Sequence, residues 1–275
     1  MKRLITGFMA VLMAVCILVP SSIPAQAAAA KVSSLQPGRE YHSFDVTGDN
    51  RKDKVKIRVS GDWDNKALEI FVNGKRKPSY RVSGFYDGAS VKVITFTNGK
   101  SFIYLNCGGK NKRNGQQMIL RYTGGRFVKT VDLNALTSKH CAWLSSDVDS
   151  VSGNTVTVSV RMMNWTVGVS DYSLKFTYKD GKLVQNSASA KYNGTVRNSS
   201  CTFTVARNIK AYRTPGGAVA FTLRRGSKVK VVSQFRISSG RTIFRVKCGS
   251  RYGWIYGLTS DNWDQAYFSN VNFGT

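Results

Sequence analysis

The sequence predicts an all-β protein, with a β-sandwich or meander over residues 40–190 and a small barrel at the C-terminal end. Three observations carry this. No long stretch repeats its apolar residues with a helical period. Short alternating runs are punctuated by hairpin dipeptides: Asn73-Gly74, Asn98-Gly99, Gly124-Gly125 and Asp180-Gly181. A last stretch, Ala206 to Ser260, packs several short strands between Gly- and Pro-containing turns.

Residues 1–27 read as a secretory signal peptide. Met1-Lys2-Arg3 is a basic start, Leu4 to Val19 is mostly apolar, and Ala25-Gln26-Ala27 is a small-x-small cleavage site. The apolar run is short for a membrane span and no basic stop-transfer flank follows it. The expectation is a secreted, extracellular or wall-associated protein with no membrane span after cleavage. Loss of Lys2 and Arg3 lowers the formal charge from +26 to +24, because residues 1–30 contain no acid. Such an excess favours polyanionic partners: wall phosphate polymers, anionic lipid, acidic glycans or nucleic acid. Export makes nucleic acid an unexpected main partner.

Residues 28–39 read as a lead segment. Asp45, Thr47, Asp49, Arg51 and Asp53 then follow the 1-3-5-7-9 spacing of a calcium loop, with Gly48 at the sharp turn and the Arg51 carbonyl as the backbone oxygen. A strand follows, not a helix, which excludes an EF-hand. The loop resembles those preceding strands in FG-GAP and VCBS-type β repeats. The other reading is a metal-free turn, since Asp and Asn are ordinary turn formers and four nearby cations, Arg51, Lys52, Lys54 and Lys56, oppose a metal. Calcium is the one cofactor the sequence suggests.

Three loose strand units follow, near 44–80, 91–133 and 142–188. Each is similar to a propeller blade or meander unit, but closed propellers need about four or more blades, so a sandwich or meander is expected. Residues 191–200 read as a linker, being small and polar, and 201–275 as the second domain. An aromatic tail containing Trp263, Tyr267, Phe268 and Phe273 either forms a last strand or covers that domain. Cys107, Cys141, Cys201 and Cys248 remain after signal removal. In an exported protein an even number suggests disulfides, most simply Cys107–Cys141 and Cys201–Cys248; reduced, buried thiols are the alternative.

The C-terminal stretch resembles a bacterial SH3 (SH3b) domain. The resemblance rests on Tyr212 to Gly217, on Thr222-Leu223-Arg224-Arg225-Gly226-Ser227-Lys228-Val229-Lys230-Val231, on Phe244-Arg245-Val246, and on Ser250-Arg251-Tyr252-Gly253-Trp254-Ile255. It covers about a fifth of the chain. Tyr212-Arg213-Thr214-Pro215 departs from the usual opening, and Phe244 stands where many members carry Trp. The resemblance implies an SH3-like barrel that recognises the bacterial envelope, either peptidoglycan peptide or an anionic wall polymer. Ligand-binding candidates are Tyr212, Arg213, Arg251, Tyr252, Trp254 and Tyr256, with Trp254 alternatively a core residue. Residues 201–275 hold 12 Lys and Arg against 2 Asp, so the positive field is local as well as global.

Catalytic chemistry is not legible. Cys107 and Cys141 lack the context of a wall peptidase nucleophile, and no His follows Cys141. The only histidines are His42 and His140, too few for a zinc amidase site. The only glutamates are Glu40 and Glu69, and Asp62 and Asp64 flank Trp63 on a predicted loop that could contact sugar. A non-catalytic envelope-binding protein is therefore expected. The alternatives are an accessory or catalytic component of a wall hydrolase, and a salt-sensitive polyanion binder.

Overall fold

The computed structural model describes residues 29–61, 65–83, 89–107, 116–136, 141–194, 200–236, 242–258 and 265–273. The predicted signal peptide and the Asp62-Trp63-Asp64 trio lie outside these residues. The all-β expectation holds: the described chain is antiparallel strands and one short 3-10 turn at Asn134–Leu136. No described helix is long and apolar enough to cross a membrane.

Strands β2 (Glu40–Phe44), β3 (Asp53–Ser60), β4 (Asn65–Val72) and β5 (Lys75–Ser83) form a four-stranded meander. A second sheet runs β1-β6-β7-β8-β9, from β1 (Lys31–Leu35), β6 (Ala89–Thr95), β7 (Ser101–Cys107), β8 (Gln116–Thr123) and β9 (Arg126–Asp132). The lead segment is thus partly structural: β1 pairs along its length with β6. Its sequence, Lys-Val-Ser-Ser-Leu, has too few apolar residues to signal a strand, and its partner is distant in sequence.

The third sheet has eleven strands. It begins with β10 (Cys141–Ser152), β11 (Thr155–Asn164) and β12 (Gly168–Lys179), with β13 (Lys182–Gln185) on the edge of β12. It continues through β14 (Ser189–Gly194), β18 (Lys228–Arg236), β19 (Thr242–Cys248), β20 (Arg251–Tyr256), β16 (Ile209–Tyr212) and β17 (Val219–Leu223), with β15 (Thr202–Thr204) also on β18. Two expectations change here. Residues 191–194 of the expected linker are strand, because β14 bridges β12 and β18; 195–199 lie outside the described residues. The C-terminal strands also form no closed barrel. A strand has two edges, and β18 gives one to β19 and shares the other between β15 and β14, so β17 cannot close onto it.

Hairpin chemistry explains the local connections. Asn73-Gly74, Gly124-Gly125 and Asp180-Gly181 all have positive φ at both positions, as two-residue primed turns require. Packing explains the layers. On β3, Asp53, Val55 and Ile57 point inward and Lys54, Lys56 and Arg58 outward. Val55, Ile57, Leu68 and Ile70 meet Val91, Val93, Ile103 and Leu105 in one core. The opposite face of the five-stranded sheet supplies Ile94, Phe102, Tyr104 and Ile119 to a second core, shared with Val156, Val158, Leu174 and Phe176. The five-stranded sheet is therefore a middle layer buried on both sides, which is why β7 reads as the continuous run Phe102-Ile103-Tyr104-Leu105. Tyr104 anchors it by donating its hydroxyl to the Ser146 carbonyl, and burial raises its phenol pKa well above the ordinary value.

Candidate functional site

The strongest concentration of aromatic and basic side chains lies on the outward face of β16, β20, β19 and β18. Along β20 the side chains alternate: Gly253 and Ile255 are buried, while Tyr252, Trp254 and Tyr256 share the opposite face. Trp254 is half-buried on that face, and Ile255 takes the core position. Gly253 is required by the crossing. A Cβ there would lie 2.9 Å from the Ala211 Cβ and 3.1 Å from the Phe221 ring, so a side chain would push β20 off β16 and β17.

Strand register assembles the face into rungs. Tyr212 stands directly opposite Trp254, and Arg245 flanks Trp254 from the other side, opposite Ser233. Tyr252 pairs with Lys247, and Lys247 with Lys230. Tyr252 is 48% exposed, large for an aromatic residue on a sheet. The Arg245 guanidinium lies 5.0 Å and the Lys247 ammonium 5.4 Å from its ring centroid, within cation–π range. Tyr212 and Tyr256 meet edge to face, with centroids 5.4 Å apart. The Tyr256 hydroxyl accepts the Gly216 amide at 2.8 Å, which fixes the 213–218 turn beside the aromatic row. None of the ion pairs among the described residues involves Lys230, Arg245 or Lys247. The face thus offers apolar rings together with cations that form no ion pair among the described residues.

Four of the six sequence candidates, Tyr212, Tyr252, Trp254 and Tyr256, come together. Arg213 is exposed in the adjoining turn, where its amide donates to the Ala218 carbonyl. Arg251 does not join them. It shares the parity of Gly253 and stacks 4.5 Å from the Phe221 centroid on the other side of the strand. Phe221 carried no sequence signal as an arginine platform; it read only as part of an apolar run.

The aspartate loop is organised inward. Asp53, 2% exposed, accepts the Val46 amide at 2.7 Å, the Thr47 amide at 2.8 Å and the Asn73 side-chain amide at 2.8 Å. Asp45 accepts the amides of Gly48 and Asn50, and Asp49 that of Arg51. These carboxylates are turned toward the loop's own amides, so Asp45, Thr47, Asp49, Arg51 and Asp53 do not converge as a calcium ligand set. Among the described residues no group of three or more His, Cys, Asp or Glu is placed to hold a metal.

The cysteines also depart from expectation. Cys107, Cys201 and Cys248 are free thiols; the Cys141 side chain lies outside the described ones. Cys201 and Cys248 fall on opposite sides of β18: the Cys201 carbonyl bonds the Val231 amide, while Cys248 ends β19. Two strand spacings, roughly 10 Å, separate them, beyond the Cα reach of a disulfide. Burial raises the Cys107 thiol to about 11 and also raises Cys201. A raised pKa leaves only about a thousandth of Cys107 as thiolate at pH 8. Aromatic disulfide reagents should therefore leave Cys107 unmodified in native buffer and modify it after unfolding. Rapid native labelling of Cys107 would contradict its burial.

A second basic surface, not foreseen from the sequence, lies on the outer face of the four-stranded sheet. Lys54, Lys56, Arg58 and Phe71 line a shallow cleft of about 300 Å³. Arg58 and Arg76 bracket Glu69, and their hydrogen bonds hold its carboxyl below the usual range. Lys54 and His42 pair with Glu40, so this face is partly neutralised. Scans against protein-family models, curated proteins and solved structures find no match to the chain.

Proposed function

We propose that this is an exported, non-catalytic protein that binds the bacterial cell envelope through its C-terminal SH3b-like part. The observation that carries the reading is the single face on which Tyr212, Tyr252, Trp254 and Tyr256 stand beside Arg245, Lys247 and Lys230. Aromatic faces suit the apolar surfaces of sugar rings and peptide side chains, and the cations suit the carboxylates of a wall peptide or the phosphates of a wall polymer. The signal-like residues 1–27 and the SH3b-like motifs support export and the envelope as the destination.

The test is retention of the full chain on purified peptidoglycan at low and high salt. Under this reading binding persists at high salt, and Tyr212→Ala weakens it about tenfold, the scale of one interfacial aromatic. Complete release by salt together with an unaffected Tyr212→Ala would overturn it. That outcome would favour the second reading, a polyanion binder, which the row of Lys230, Lys247 and Arg245 also supports. A polyanion binder shows a steep linear fall of log affinity with log salt.

A further inference from the structure

A polar cleft of about 170 Å³ opens where the three sheets meet, away from the aromatic face. The aspartate turn lines it with Thr47 and Gly48, the position before β7 with Lys100, and the end of β8 and its turn with Arg121, Thr123 and Gly124. Tyr178 of β12 closes it, its ring stacked on Phe96 and set edge-on to Phe102.

The charges in this cleft are unbalanced. Among the described residues no carboxylate lines it. Lys100 donates to the Gly48 carbonyl at 3.2 Å, and Arg121 to the Gly181 carbonyl. Neither forms an ion pair among the described residues. The carboxylates of Asp45 and Asp53 point at the aspartate turn's own amides, and Asp180 precedes the Gly181 whose carbonyl Arg121 bonds, but neither turn places a carboxylate among the described lining residues. Two half-buried cations in one concavity repel each other unless an anion joins them. The volume is below the ~300–1,000 Å³ of clefts for drug-sized ligands, so the fitting ligand is small.

We infer that this cleft binds one small oxyanion, a phosphate group either free or as the terminal monoester of a larger molecule, between Lys100 and Arg121. Lys100 supplies a point charge and Arg121 a planar fork suited to two phosphate oxygens. The Thr123 hydroxyl is a further donor at the rim. Such an anion would touch all three sheets: the turn before β3, the strands β7 and β8, and through Arg121 the β12–β13 turn. Its binding therefore stabilises the packing of the layers.

The experiment is thermal unfolding of the full chain in inorganic phosphate against chloride of equal ionic strength. Binding to the folded state alone raises the melting temperature by roughly 5–10 °C at a hundredfold excess over Kd. Lys100→Met and Arg121→Gln each remove most of that rise, while Arg245→Ala keeps it. No rise in the parent protein, or an equal rise in both cleft variants, overturns the proposal. So does loss of the rise in Arg245→Ala, which would move the site to the aromatic face. Melts in chloride verify that each variant is folded. Phosphorus line broadening reads binding directly, and most of it must be lost in Lys100→Met. Glycerol phosphate in the same assay separates the sources: an equal rise assigns the site to terminal phosphomonoesters, and no rise to the free ion.

Discussion

Asp53→Ala is expected to destabilise the protein by about 3–4 kcal/mol, a fall in melting temperature of roughly 10 °C for a chain of this size. The carboxylate is buried and holds three amide donors at 2.7–2.8 Å, from Val46, Thr47 and Asn73. Alanine leaves these donors without an acceptor in a site that water reaches poorly. Each such orphan costs about 1–3 kcal/mol. Asp53→Asn should lose less, since it keeps one acceptor oxygen. A loss below about 1 kcal/mol for Asp53→Ala in urea titration would show that the loop reorganises freely. The same geometry predicts that calcium does not raise the melting temperature, because the carboxylates of Asp45 and Asp53 are already engaged. A calcium-dependent rise abolished by Asp45→Asn would restore the metal reading.

Gly168→Ala is expected to be at least as damaging, about 3 kcal/mol or more, through two causes that add. Gly168 has φ +74°, where an L side chain is strained by about 1–2 kcal/mol. The added Cβ would also fall 2.1 Å from the Asn272 carbonyl oxygen. That oxygen accepts the Val169 amide at 3.0 Å, so relieving the clash breaks this bond and lifts the segment 265–273. Phe268, 2% exposed and tilted against Phe203 with ring centroids 5.0 Å apart, would leave the core with it. Limited proteolysis should then cut near the tail in Gly168→Ala and spare it in the parent protein. A variant that melts within a degree of the parent and resists cleavage would contradict this account.

What could be read from the sequence was what is locally encoded. Asn73-Gly74 and Asp180-Gly181 announce their turns because few residue pairs tolerate two positive φ values. The three strand units correspond to the three meanders, β2–β5, β6–β9 and β10–β13. The sheet-to-sheet arrangement was not legible. A doubly buried strand such as β7 loses the alternation that tells which face is inside. β1 and the 191–194 half of β14 read as lead and linker because short polar strands draw their stability from distant partners, β6 for the one and β12 and β18 for the other. At the candidate site, the alternation Tyr252-Trp254-Tyr256 was visible, and the neighbouring turn pointed to Tyr212. Arg251 reads as a ligand candidate from its motif, but its odd-numbered position puts it with Gly253 on the other face. That Arg245 and Tyr212 flank Trp254 depends on the register of three strands, which no local pattern encodes.

The docked segment around Phe268 also bears on the order in which the molecule can be completed. Its backbone joins β15 and the start of β12: Ala206 donates to Tyr267, Ser269 to Thr204, and Val169 to Asn272. Until this segment docks, those backbone groups lack these partners, and Phe203 lacks its ring neighbour. Pairings that span much of a chain form late and slowly. The eleven-stranded sheet is covered only once this segment docks, and until then the folding protein exposes the backbone of β15 and an uncovered aromatic cluster.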